Sequence, residues 1–228
     1  GPALHPLLLP HVQALPEINP ILRSLQPNDD PSRHHIKWDI LFTSSHAGCS
    51  HDVSVHEWIQ YLFSPATFPR LREITLVSRS LPWTIHVSAK NVRAGVTCGD
   101  VLHQIYAALH KFAVHEDKQK ISPADYEGVV SAAQANRRRK NDSGEFLIPY
   151  ERAAMRRVDW LGRATIFAGL DRDEVHVADR FGAAMPAVFI LQFQETAIAV
   201  TTRNDGTPSS TLYMVSSRPH HLIGRVGT

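Results

Sequence analysis

From Trp83 to Ala89 the chain alternates without a break. Trp83, Ile85, Val87 and Ala89 fall on one side, and Thr84, His86 and Ser88 on the other. From Thr97 the apolar spacing changes. Val101, Ile105, Leu109 and Phe112 recur at the three-to-four-residue step of a helix, with Leu102 and Tyr106 widening the stripe. A strand that buries one side and a helix that buries one stripe, neighbours in the chain, need each other's apolar surface. That requirement points to helices layered on a sheet.

The remaining pattern repeats the theme. Ile36, Trp38, Ile40 and Phe42 alternate with Lys37 and Asp39, which predicts a half-buried strand over 36–42. Ser54-Val-His-Glu57 has the form of a capping box, and Val55, Trp58, Ile59, Leu62 and Phe63 then repeat at helical spacing up to Pro65. Leu71–Ser78 reads as a strand, and Pro82 starts the next one where proline is tolerated. Thr97 and Asp100 form a second box, and Ser122-Pro123 opens a helix with Tyr126, Val129, Val130 and Ala133 on its buried face. Asn141–Gly144 reads as a loop, Pro149–Leu161 as a long helix stopped by Gly162, and Ala187–Phe193 as a central strand. Asp205-Gly206 lies between Thr196–Val200 and Thr211–Val215, the pattern of a closing hairpin.

Seven of the 15 prolines fall within residues 1–35, among leucines and isoleucines that favour burial. This predicts an extended arm packed along the domain surface. The expected organisation is an arm over 1–35, a single domain over 36–193, and an extension or hairpin over 194–228. The expected class is α+β: a mainly antiparallel sheet of about 4–6 strands with about 3–4 packed helices and the proline-rich arm. Gly1-Pro2 reads as what a tag-cleaving protease leaves, so a longer native start is expected.

Several short segments occur in a fixed order. They are Leu4-His-Pro-Leu-Leu8, Trp38-Asp-Ile40, Ser64-Pro-Ala-Thr67, Leu81-Pro-Trp-Thr-Ile-His-Val87 and Val96-Thr-Cys-Gly-Asp-Val-Leu102, then Arg156-Arg-Val-Asp-Trp-Leu161 and Phe167-Ala-Gly-Leu170. In that order they resemble a domain family of unknown function abundant in mushroom-forming fungi. The resemblance implies a small sheet with helices, and no reaction. Asp171–Pro186 is longer than the family's usual connection, and residues 194–228 run past its usual end.

Composition narrows the function classes. With 24 basic and 22 acidic residues among 228, the net charge is +2, too small to draw the whole molecule to DNA or an anionic membrane. Two cysteines, Cys49 and Cys98, do not make a disulfide framework, and reduced thiols in an intracellular protein, cytoplasmic or nuclear, are expected. No apolar run has membrane-spanning length, and the Leu7–Leu9 run lacks the flanks of a signal peptide. Nucleotide loops, the dinucleotide fingerprint and the hydrolase elbow are absent from the sequence. His56-Glu57 opens like a zinc-protease helix, but Gln60 stands where the second histidine belongs. His46, Cys49 and His51 are the densest metal-like group, yet their spacing matches no zinc pattern. No metal or other cofactor is therefore expected. His103 and His110 lie about 10.5 Å apart along a helix, too far to share one metal, and read as a solvated face. Asp39, His86 and Ser88 supply the residue types of a triad but not, by themselves, its geometry.

The most tangible feature is basic. Residues 131–163 hold eight basic side chains against four acidic ones. Arg137, Arg138, Arg139 and Lys140, with Arg156 and Arg157, are the candidate partner-binding residues, since guanidinium forks pair with carboxylates and phosphates. The competing reading is a solvated helix end, with arginines paired to nearby aspartates. The leading expectation is a non-enzymatic module that binds a protein partner through an apolar groove, a sheet edge or this segment. An enzyme using histidines and carboxylates in a cleft is second, and binding of nucleic acid or an acidic partner through the basic segment is third.

Overall fold

The computed structural model describes residues 2–139, 154–199 and 212–215. The loop read at Asn141–Gly144, the turn at Asp205-Gly206 and Lys140 lie outside them. In chain order the helices are α1 (Leu9–Val12), α2 (Val55–Phe63), α3 (Cys98–Leu109), α4 (His115–Gln119), α5 (Pro123–Arg138) and α6 (Glu174–Phe181). The strands are β1 (Glu17–Ile18), β2 (Ile36–Lys37), β3 (Gly48–Cys49), β4 (Thr67–Phe68), β5 (Glu73–Ser78), β6 (Leu81–Ser88), β7 (Ile166–Asp171), β8 (Val188–Gln194), β9 (Thr196–Ala199) and β10 (Leu212–Val215). The fold is α+β.

Four strands form the main sheet in the order β6-β5-β8-β7. The β5–β6 and β7–β8 pairs are antiparallel, and β5–β8 is parallel. β8 is therefore internal, and its Val188, Phe189, Ile190 and Leu191 are all buried, as a strand covered on both faces requires. One sheet face carries Leu76, Trp83, Ile85, Val87, Phe167 and Phe189 into the main core with the α3 stripe Val101, Leu102, Ile105 and Leu109. On the other, Val77, Val188 and Ile190 bury against Val177 of α6. The alternation read in β6 is realised: Leu81, Trp83, Ile85 and Val87 are buried, and His86 and Ser88 are exposed. At α3 the Thr97 side chain accepts from the Asp100 amide, and Asp100 accepts from the Thr97 amide. At α2 only the first half of the box forms, with Ser54 accepting from the Glu57 amide at 3.1 Å.

Two readings are corrected. The strand expected over 36–42 is confined to β2, which pairs with β3. At Asp39 the chain turns, because Asp39 Oδ1 accepts from the Leu41 amide and the Asp39 carbonyl from the Phe42 amide. Leu41 is buried as a result, and Trp38 and Ile40 bond instead to Phe167 and Thr165 beside β7. The long helix expected over Pro149–Leu161 is, in its described part, extended and then a single 3₁₀ turn over Arg157–Leu161. The Ala113 amide donates to Met155 and the Arg157 amide to Lys111, and this pairing of two distant segments takes the place of the helix. The sequence pattern also missed α4, α6 and the strand character of β7, whose register breaks between Phe167 and Gly169. β9 pairs antiparallel with β10, with Thr196 opposite Val215.

The arm is anchored along its length. Leu4 exchanges backbone hydrogen bonds with Arg70 and Arg72. β1 pairs with β4. Leu22 and Ser24 bond to Leu170 on the outer edge of β7. The Arg33 guanidinium holds the intervening turn by donating to the carbonyls of Pro20, Arg23 and Ser24 and to the Asp29 carboxylate. Leu9, Ile21 and Leu22 are buried by this path.

The crossing of arm and β7 has no spare room. Gly169 has φ of +113°, and a Cβ there would sit 2.5 Å from the Ser24 nitrogen and 2.6 Å from its Cα. Gly169→Ala should therefore destabilise the fold by about 2–5 kcal/mol, combining backbone strain and overpacking. Chemical denaturation measures it, and a change under about 0.5 kcal/mol would mean that the arm does not cross there.

Candidate functional site

Of the basic residues singled out by sequence, Arg139, Arg156 and Arg157 are engaged within the molecule. Arg157 is turned inward: Nε and Nη2 each donate at 3.1 Å to the two oxygens of Asp117, and the guanidinium lies 4.9 Å from the Trp83 ring. Trp83 Nε1 donates to the same carboxylate. Arg139 Nη2 donates to Asp39 at 2.6 Å and Nη1 to Thr165. Arg156 stands over the Phe112 ring and donates to His110 Nδ1 at 3.1 Å. Arg137 is half-buried, while Arg138 and Arg163 are exposed.

These contacts form two buried polar ties. In the first, burial pushes the Asp117 carboxyl up, but donors from Arg157, Trp83 and the Val114 amide outweigh it and hold the group below the usual carboxylate range. In the second, the His110 ring stacks on Tyr106 at 4.0 Å, and its Nε2 lies 2.9 Å from the Ile40 carbonyl. A carbonyl only accepts and a guanidinium only donates, so Nε2 carries the proton and Nδ1 receives Arg156. Burial, with Arg156 adding to it, pushes His110 down to about 4. His110 is thus a joint between α3 and the 38–42 turn rather than part of a solvated face; His103 is exposed. Nearby, Asn136 at the end of α5 donates at 2.9 Å to Asp159, whose carboxyl burial pushes up.

The metal-like residues are held apart by other contacts. His46 Nδ1 meets Thr43 Oγ1 at 3.0 Å and its ring tilts against Phe42. His51 Nδ1 meets Ser50 Oγ at 2.9 Å, and its ring stacks on His34, whose Nδ1 contacts the Tyr61 hydroxyl. Among the described residues no three His, Cys, Asp or Glu side chains are grouped to hold a metal. Cys98 is buried, which pushes its thiol up to about 12. Asp39 is ion-paired beside β7, while His86 and Ser88 lie on β6 at the opposite end of the strand order, so the paper triad does not converge.

The described surface carries a different feature, on α2. Trp58, Tyr61 and Leu62 pack on the core. Val55, Ile59 and Phe63 follow one another at four-residue steps on the outer side, 78%, 43% and 75% exposed. Sequence spacing groups these side chains with Trp58 and Leu62, because periodicity identifies an apolar helix face without saying what covers it. A cavity of about 230 Å³ between the arm and α6, lined by Leu15, Val177, Met185, Pro186 and Val188 with Arg172 and Glu174, has room for one apolar side chain. Small-molecule clefts usually span about 300–1,000 Å³.

Asp117→Ala leaves the buried Trp83 Nε1 and the half-buried Arg157 guanidinium without their acceptor and should cost about 3–5 kcal/mol. Because the carboxyl is held below its ordinary value of 3.8, its contribution is complete above that value. It is lost as pH falls through the lower folded value. The stability gap between wild type and Asp117→Asn should close below that pH in urea titrations, and a gap independent of pH would refute the assignment. For His110 the folded value lies below the ordinary 6.5, so stability is present above 6.5 and is lost between there and about 4. His110→Gln should flatten the melting-temperature profile over that window, and an unchanged slope would place the proton elsewhere.

No curated protein and no solved structure matches the chain. A family model described as a family of unknown function, DUF6699, matches residues 36–179, which include α2 through most of α6 and strands β2 to β7. On that match the protein belongs to the DUF6699 family.

Proposed function

We propose that this protein is a non-enzymatic interaction module that binds a protein partner through the outer face of α2. One observation carries the reading: Val55, Ile59 and Phe63 stand exposed in a row on a helix whose opposite face is anchored in the core. Aligned apolar side chains on a rigid element are the usual anchor of helix-in-groove recognition, where residues spaced by three or four positions enter a partner's pocket. The partner of this chemistry presents an apolar groove. The internal engagement of Arg139, Arg156 and Arg157 favours the helix face over the basic segment as the primary surface. Arg138 is left as a cationic contact outside it.

The same reading places the protein inside a fungal cell. It is supported by the resemblance of the ordered segments to a family abundant in mushroom-forming fungi and by Cys49 and Cys98, both free thiols. No described helix is long and apolar enough to cross a membrane.

A photo-cross-linker attached at Gln60→Cys, between the stripe residues, should capture a partner from cells of the native host. The double change Ile59→Asp with Phe63→Asp should abolish that capture with little change in melting temperature, since exposed sites away from special features usually move stability by about 0.5 kcal/mol or less. A partner that remains bound to the double variant would overturn the assignment to α2.

A further inference from the structure

The two edges of the main sheet are treated differently. The outer edge of β7 is covered: the Leu170 amide donates to Leu22, the Ser24 amide to Leu170, the Phe167 amide to Trp38 and the Ile40 amide to Thr165. β6 forms the opposite edge. Which of its backbone groups face outward follows from the register. The Thr75 amide donates to Ala187, toward β8, and the Ala89 amide to Arg72, toward β5. Backbone groups alternate in direction along a strand, so Ile74 and Leu76 bond to their partners Val87 and Ile85. The N–H and C=O groups of Thr84, His86 and Ser88 then point away from the sheet. Among the described residues no backbone group meets them. At the start of the strand, Pro82 has no amide to offer, and its carbonyl accepts from Arg180 at 2.9 Å.

An open edge of this length normally carries a lysine, an inward charge or a bulge that discourages pairing. Residues 81–88 contain no charged side chain. The irregularity in the β5–β6 pair lies between Leu76 and Ser78, near the turn and away from the open stretch.

We propose that β6 pairs antiparallel with β6 of a second copy of this chain, on a twofold axis at His86. The strand is complementary to itself in that register. Every outward N–H and C=O of Thr84, His86 and Ser88 finds a mate. Thr84 falls opposite Ser88 on the polar face and Ile85 opposite Val87 on the apolar face, and hydroxyl pairs and β-branched pairs are both favourable cross-strand neighbours. The uncharged strand offers an ionic peptide nothing to recognise. The product is a continuous eight-stranded sheet across two copies, with α2 of each copy left for other partners.

The test is sedimentation of the full chain over a wide concentration range, with amide exchange read at β6. The wild type should dimerise, with the amides of Thr84, His86 and Ser88 protected. The exposed His86 side chain makes only a 3.4 Å contact with Thr75, so replacing it leaves the ladder to β5 intact. His86→Lys and His86→Asp each set like charges on the axis and should weaken self-association at least about tenfold, equivalent to about 1.4 kcal/mol. Mixing the two variants should restore a heterodimer. A wild type that stays monomeric at every concentration overturns the proposal. So does a dimer that persists in both variants, or one whose Thr84, His86 and Ser88 amides still exchange freely, because association would then use another surface.

Discussion

A single carboxylate organises the domain. Asp117 is 1% exposed and receives donors from Trp83 on β6, from Arg157 in the 3₁₀ turn and from its own helix start at Val114. Trp83, Asp117 and Arg157 lie far apart in sequence, and each would leave a polar group without a mate if the others moved. A buried charge is tolerated only when its neighbours compensate it fully. The result is a fixed spatial relation between sheet, α4 and the segment that leads into β7. Trp160 completes the cluster, its ring edge-on to Trp83 at 5.1 Å. The basic run, read along the sequence, resembles a surface; in space, half of its candidate residues stabilise the interior.

The arm complements that core by finishing the sheet. β7 would otherwise present its backbone to solvent, and the arm brings Leu22 and Ser24 against it while Trp38 and Ile40 continue the cover. Proline suits such a strap, because it lowers the entropy lost on ordering an extended segment. The Arg33 fork then satisfies carbonyls that no regular element reaches. The family match begins at residue 36, so this strap lies outside the matched span.

Local signals carried well from sequence to structure, and long-range ones did not. The Thr97 box, the β6 alternation and the apolar run of β8 depend on residues a few positions apart, and each appears where it was read. β7 was missed because its apolar pattern is interrupted at Gly169, a residue chosen for its closeness to Ser24, a neighbour remote in sequence. The extended path through Met155 was missed for the same reason, since its partners are Lys111 and Ala113. Arginine roles were the least legible. Nothing local distinguishes Arg157, clamped on Asp117, from Arg138, which stays outside. Composition records the charge of a side chain and not the direction in which it points.

The parallel contact between β5 and β8 has a consequence for how the polypeptide is made. Thr75 meets Val188 and Val77 meets Ile190, across more than a hundred intervening residues. A ribosome must therefore release the whole matched region, and β8 beyond it, before the inner flank of the first hairpin can be shielded. Until then Val77 and the open flank of β5 are available to any passing apolar surface, and closing so long a loop is intrinsically slow. Nascent chains of this architecture should accordingly depend on chaperone protection early in translation, with the rate of late elongation governing their yield.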